Sequence, residues 1–180
     1  MKTVLSAALI AALATGCAHR PPGPTTAPAA VTDNKFATAI SVTGKKIEDG
    51  DYYGNPAYTY FILSTVDKKT GAVTRGIVFN NVYGGSGWKF WNYASTDEPK
   101  NLRVTIIDRT TGSCSRYMGC YHSESISMAI DDDTLQSGLR NGINVSISAK
   151  HTKPIVISFS ASYVQEFYSL EMDALRRTQR

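Results

Sequence analysis

The densest run of side chains able to do chemistry is Tyr83-Gly84-Gly85-Ser86-Gly87-Trp88-Lys89-Phe90-Trp91-Asn92-Tyr93. A glycine-rich turn feeds an aromatic stretch. In an extended chain successive side chains alternate, so Trp88 and Phe90 point one way while Trp91 and Tyr93 point the other. Together with Tyr83, Trp88, Trp91 and Tyr93 form a candidate binding surface of the kind that stacks on sugar rings or anchors a protein partner. Filling the core is the competing reading of such large aromatics.

Acid–base and nucleophilic chemistry is less well supplied. Glu124 lies beside Ser123 and His122, but neighbours on a strand point to opposite faces, so His122 and Ser123 do not converge. No Gly-x-Ser-x-Gly or His-Glu-x-x-His pattern occurs. Loop carboxylates at Glu48, Asp49, Asp51, Asp97 and Glu98 leave a glycosidase-type pair as the remaining catalytic reading. Asp131-Asp132-Asp133 lacks the alternating oxygen ligands and glycine of a calcium loop, and reads as a helix cap and a turn. Cys114, Cys120, His122 and His151 do not follow a zinc spacing. No catalytic residue, metal or cofactor is assigned, and the enzyme question leans towards no.

These side chains must be positioned by strands. Phe36, Thr38, Ile40 and Val42 alternate with smaller residues, Gly44 to Pro56 reads as a loop, and Tyr58 to Val66 is apolar or β-branched almost throughout, as in a central strand with both faces covered. Asp67-Lys68-Lys69-Thr70-Gly71 predicts a turn before a strand from Val73 to Tyr83. Asp108-Arg109-Thr110-Thr111-Gly112 has a similar pattern and predicts another turn after Leu102 to Ile107. Ile126, Met128 and Ile130, then Ile143, Val145 and Ile147, then Ile155, Ile157 and Phe159 recur every second residue, the pattern of antiparallel strands with one wet face. Asp133 to Leu139 predicts a short helix capped by Asp133, and Ser162 to Arg177 a closing helix whose stripe of Tyr163, Phe167, Leu170 and Ala174 faces the sheet. The expected fold is α+β: a predominantly antiparallel sheet, open or sandwich-like, with one short helix and a C-terminal helix.

The N-terminus points to a compartment. Met1-Lys2 is followed by a mostly apolar run from Val4 to Leu13 and by small residues up to Gly16. That run falls well short of the roughly 20 apolar residues a spanning helix needs, and it matches signal-peptide architecture. Leu13-Ala14-Thr15-Gly16-Cys17 resembles the lipobox of bacterial lipoproteins, with Ala14 standing where a branched apolar residue is usual. The resemblance implies a signal peptide over 1–16 and lipidation of Cys17, followed by a Pro/Thr/Ala-rich disordered tether over 17–35 and one domain over 36–180. Ala18 in place of Asp favours the outer membrane, facing the periplasm. On this reading Cys17 goes to lipid, which leaves Cys114 and Cys120 to pair as a disulfide in an oxidising compartment.

Charge adds little beyond this. The chain has 19 Lys and Arg against 15 Asp and Glu, and loss of Lys2 with the signal leaves 18 against 15, a net +3. The basic residues are scattered, so nucleic acid is not an expected partner. The anchor, the tether and the lack of a catalytic set point to a non-enzymatic accessory or assembly factor that binds another envelope protein. A peptidoglycan- or glycan-binding module is the alternative, and a cell-wall hydrolase the second alternative. The mature chain is expected to begin at Cys17 and to carry a diacylglyceryl thioether, because two acyl chains anchor stably at about 0.8 kcal/mol per buried CH₂. Mass spectrometry of the intact product checks this, and Cys17→Ser should move the protein to the soluble fraction.

Overall fold

The computed structural model describes residues 27–50, 57–85, 87–97, 100–115 and 119–179. The expected signal peptide, Cys17, and the first part of the tether lie outside them, as do Asp51, Glu98 and the tip of the Cys114 to Cys120 loop.

Alternation is the rule that builds the larger sheet. It contains β1 (Ala30–Thr32), β2 (Ala39–Thr43), β3 (Ile47–Asp49), β4 (Ala57–Asp67), β5 (Val73–Gly85), β8 (Val104–Ser115) and β9 (Gly119–Ala129). Its order is β1-β2-β4-β5-β9-β8, with β2 and β3 pairing successive stretches of one side of β4. Every pairing is antiparallel. Side chains two apart turn inward together, so Ile40, Val42, Tyr60, Ile62, Ile77, Phe79, Ile126 and Met128 are buried on one face. The opposite face carries polar residues such as Asn80, whose Oδ1 accepts from Ser123 and Ser125 at 3.1 and 3.2 Å.

The smaller sheet runs β11-β10-β6-β7, from β6 (Tyr93–Thr96), β7 (Asn101–Leu102), β10 (Ile143–Ser148) and β11 (Ile155–Phe159). It shares one core with the larger sheet. Tyr60 meets Phe159 edge-on at 5.3 Å, and Phe79 meets Trp91 at 5.9 Å. Only Arg103 separates β7 from β8, so the chain leaves the edge of one sheet and immediately becomes the edge of the other.

Two helices complete the α+β fold: α1 (Asp132–Asn141) and α2 (Ala161–Thr178). Each starts earlier than its sequence predicts, because an upstream oxygen captures the free amides of the first turn. Asp131, not Asp133, accepts from the Thr134 amide at 3.0 Å, and Ser160, not Ser162, accepts from the Tyr163 amide at 3.2 Å. Asp131 also pairs with Lys100, and these contacts hold its carboxyl well below the usual range. On α2 the buried positions are Val164, Phe167, Glu171 and Ala174, while Tyr163 and Leu170 pack at the margin. Glu171 tolerates complete burial because Arg75 of β5 donates to it through Nε at 2.8 and 2.9 Å, and the same guanidinium reaches Asp132 at 2.5 Å. One arginine thus ties the sheet to both helices.

Four local expectations are corrected. Ala30–Thr32, counted with the tether, pairs with β2, and the loop from Gly44 contains β3. The turn at Asp108–Gly112 is the interior of β8, because β9 offers partners throughout and the strand absorbs the surplus residues as bulges between Ile106 and Asp108 and between Thr111 and Cys114. Phe36 does not join the first strand's buried face and is 84% exposed. By contrast, the Asp67 turn forms, with Oδ1 accepting from the amides of Lys69 and Thr70.

The close of α1 generates a test. Gly142 adopts φ 79° and ψ −179°, a region open essentially to glycine alone, and a Cβ there would lie 2.4 Å from the Phe159 carbonyl oxygen. Gly142→Ala should cost at least about 1–3 kcal/mol. Gly84→Ala, where a Cβ would meet nothing within 4 Å, is the matched control in urea unfolding.

Candidate functional site

At one end of the larger sheet the buried face changes character. Going up β5 it reads Ile77, Phe79, Asn81, Tyr83, and going back along β9 it reads Met128, Ile126, Glu124, His122. Register sets Arg109 of β8 beside Glu124 and Thr111 beside His122. Strand alternation therefore drives a carboxylate, an imidazole, a phenol and a carboxamide inward, and the segment 87–92 folds over them.

Glu124 has no solvent exposure. Its Oε1 accepts from the Tyr83 hydroxyl, from the Lys89 amide at 2.9 Å and from the Phe90 amide at 3.1 Å; its Oε2 accepts from Arg109 Nε at 3.0 Å. Burial by itself would favour the neutral acid. The bonds from Tyr83, the Phe90 amide, Arg109 and the Lys89 amide outweigh it and hold the carboxyl below its ordinary value. Burial and the same carboxylate push the Tyr83 hydroxyl far up. With three donors on Oε1 and the Arg109 guanidinium on Oε2, Glu124 anchors a loop.

The loop responds to that anchor. Two successive amides reaching one carboxylate oxygen bend the chain sharply, and Phe90 is driven to φ 61°, the one positive-φ residue other than glycine among those described. Trp91 then turns into the core, where its Nε1 donates to Asn81 Oδ1 at 3.2 Å. The Lys89 ammonium lies over the Tyr83 ring at 4.1 Å and the Trp91 ring at 5.5 Å. Burial lowers its pKa against the opposing pull of Glu124. Trp88 rests on His122 at 4.7 Å, and His122 approaches the Gly85 carbonyl at 3.3 Å and Thr111 Oγ1 at 3.5 Å.

This geometry revises the aromatic surface. Residues 88–92 are not a strand, so the predicted alternation of Trp88 and Phe90 against Trp91 and Tyr93 does not occur. Trp91 and Tyr83 are core residues at 1% and 6% exposure, Trp88 is half-buried, and Tyr93 is exposed with its hydroxyl donating to Asn101 Oδ1 at 2.5 Å. Phe90, read with the aromatic run but not as part of the binding surface, is exposed, and so are Tyr121, Ile106, Ile107 and Val156, whose exposure the sequence did not predict. The signal for Glu124 was present: it occupies an inward position in the series Glu124, Ile126, Met128, Ile130.

The other expected residues lie elsewhere. Cys114 and Cys120 form a disulfide across a register pair of the β8–β9 hairpin. Gly119 beside it packs so close to the Gly85 carbonyl that a Cβ would sit 2.9 Å away, which seats the hairpin end against the glycine-rich turn. Asp49 accepts from the Tyr58 hydroxyl at 3.1 Å, with burial and that bond pushing the phenol up to about 12, while Asp97 accepts from Asn144 at 2.5 Å on the other sheet. A cleft of about 260 Å³ lies between the smaller sheet and α1, lined by Thr96, Asp97, Lys100, Asp133, Ser137 and Asn144 among others. Two of its charged groups are committed locally, Asp97 to Asn144 and Lys100 to Asp131. Among the described residues no cluster of three metal-ligating side chains occurs, and no helix is long and apolar enough to cross a membrane.

The chain matches no family model, no curated protein and no solved structure.

Glu124→Gln should cost about 3–5 kcal/mol, since it leaves Arg109 beside a neutral partner and sets an amide against converging donors. The pH response has a definite sign. A carboxyl held below its ordinary value contributes fully above about pH 4.5, and that contribution disappears as pH falls through the lower folded value. Chemical denaturation between pH 2 and 7 should show this loss in the wild type and a flatter profile in the variant.

Proposed function

We propose that this chain is a lipid-anchored protein of the bacterial cell envelope whose β-rich domain docks onto another envelope protein, as a non-enzymatic accessory or assembly factor. The anchor rests on the lipobox resemblance at Cys17. One observation carries the docking reading: exposed apolar side chains gather about the free edge of the larger sheet. Ile106 and Ile107 lie on edge strand β8 at 50% and 54% exposure, Tyr121 lies on its hairpin partner, and Phe90 lies against Arg109 of the same strand. A long edge strand is a standing invitation to unwanted pairing. Its two bulges break the regular edge, yet the isoleucines remain uncovered, the combination expected of a surface that receives a partner by side-chain packing.

Glycan binding is the second reading, favoured by the exposure of Phe90 and Tyr93. A photo-crosslinking residue at Ile107, activated in native membranes, should give one dominant adduct with an envelope protein that mass spectrometry identifies. In the same crosslinking chain Ile106→Ser should lower its yield at least ten-fold, since burying an isoleucine is worth about 1.5–3 kcal/mol, without lowering the melting temperature. Binding to purified sacculi with no protein adduct would turn the assignment to the glycan.

A further inference from the structure

Among the described residues around Glu124, Arg109 is a charged side chain whose terminal nitrogens are left over once the domain's own contacts are made. Its Nε is spent on Glu124, its guanidinium carbon lies 4.8 Å from the centre of the exposed Phe90 ring, and its side chain is 24% exposed. Among the described residues no acceptor meets its two terminal nitrogens. A guanidinium held at Nε presents the remaining N–H groups as a planar fork, the shape that binds both oxygens of a carboxylate.

The surroundings are prepared for that ligand. Glu124 holds the Arg109 fork and the Phe90 amide together, so the cation and the aromatic ring are set by one buried group. Phe90 is kept exposed in the left-handed region, which costs about 1–2 kcal/mol for an ordinary residue; such strain collects at functional positions. Register puts Ile106 on the same face as Arg109, which adds an aliphatic flank. Arg109 and Lys89 against Glu124 leave one net positive charge, which suits a singly charged group better than a phosphate dianion.

We infer that Arg109 and Phe90 form a carboxylate-recognition site that accepts an Asp or Glu side chain of the docked protein, with an apolar neighbour of that residue lying on Phe90 and Ile106. This rests on the docking reading for the identity of the partner, and on Arg109 and Phe90 alone for the chemistry of the ligand.

The test uses the mature chain and two probes, acetyl-Leu-Glu-Leu-amide and acetyl-Leu-Gln-Leu-amide, followed by NMR at the Phe90 amide and Arg109 Nε. The glutamate peptide should shift both signals and bind at least ten-fold tighter than the glutamine peptide, a difference of about 1.4 kcal/mol, and this preference should weaken with salt. Arg109→Lys, which keeps a cation beside Glu124 and so protects the fold, should lose most of the discrimination, and Phe90→Ala should weaken both peptides. Equal shifts, no shift with either peptide, or discrimination unchanged in Arg109→Lys overturns the site. The Ile107 crosslink separates this from the docking reading. An adduct that survives Arg109→Lys keeps the docking and overturns the clamp, while peptide discrimination without any adduct keeps the carboxylate chemistry and sinks the docking. Sacculus binding competed by the glutamate peptide would assign the carboxylate to the wall and overturn the protein partner.

Discussion

An ionised carboxylate with no access to water is among the costliest groups a small domain can carry, and Glu124 is such a group. Its position follows from strand parity, since it alternates with Ile126 and Met128 and must point where they point. What makes the position tolerable is convergence. A phenol, two backbone amides and a guanidinium from three different segments reach it. Those bonds also determine the path of segment 87–92, the burial of Trp91, the exposure of Phe90 and the aim of Arg109.

A second buried acid is handled by the same rule at the opposite end of β5. Glu171 is enclosed on α2, and Arg75 meets it while also reaching the first turn of α1. Buried ion pairs add little net stability compared with apolar packing, but they penalise any arrangement that separates the partners. Here the two pairs act as orientation devices, one docking the helices on the sheet and the other shaping a loop at its far end. Between them runs an apolar core common to both sheets, whose attraction is non-directional, whereas each charge requires a particular partner.

The functional reading grows from that second device. The domain spends strain at Phe90 and leaves Ile106 and Ile107 uncovered on a strand whose bulges spoil the regular edge. An arginine fork whose terminal nitrogens meet no acceptor among the described residues, set among apolar side chains, is the feature through which the proposed docking would hold a partner in register. A tethered lipid anchor would complement it by confining the search to a thin layer above the membrane, raising effective concentration without any added contact.

Much of the architecture was legible from residue order, because strands and helices announce themselves by period. The α+β class, the β4–β5 hairpin, the late β10–β11 pair and the C-terminal helix follow from alternation, turn residues and an apolar stripe. Helix starts were displaced to Asp131 and Ser160, since which of several adjacent capping oxygens captures the first amides depends on the approach of the chain. The turn expected at Asp108 failed for a tertiary reason: a continuous partner strand made bulges cheaper than a reversal. The aromatic run was visible as a run, but its alternation presumed an extended backbone. By itself, then, the sequence determined most of the inward positions on the strands, and the parity that carries Glu124 inward with Ile126 and Met128 was already in it. Only the folded chain decided what those inward groups meet, because the donors to one carboxylate come from residues up to 41 positions away, and no local pattern encodes a convergence of that kind.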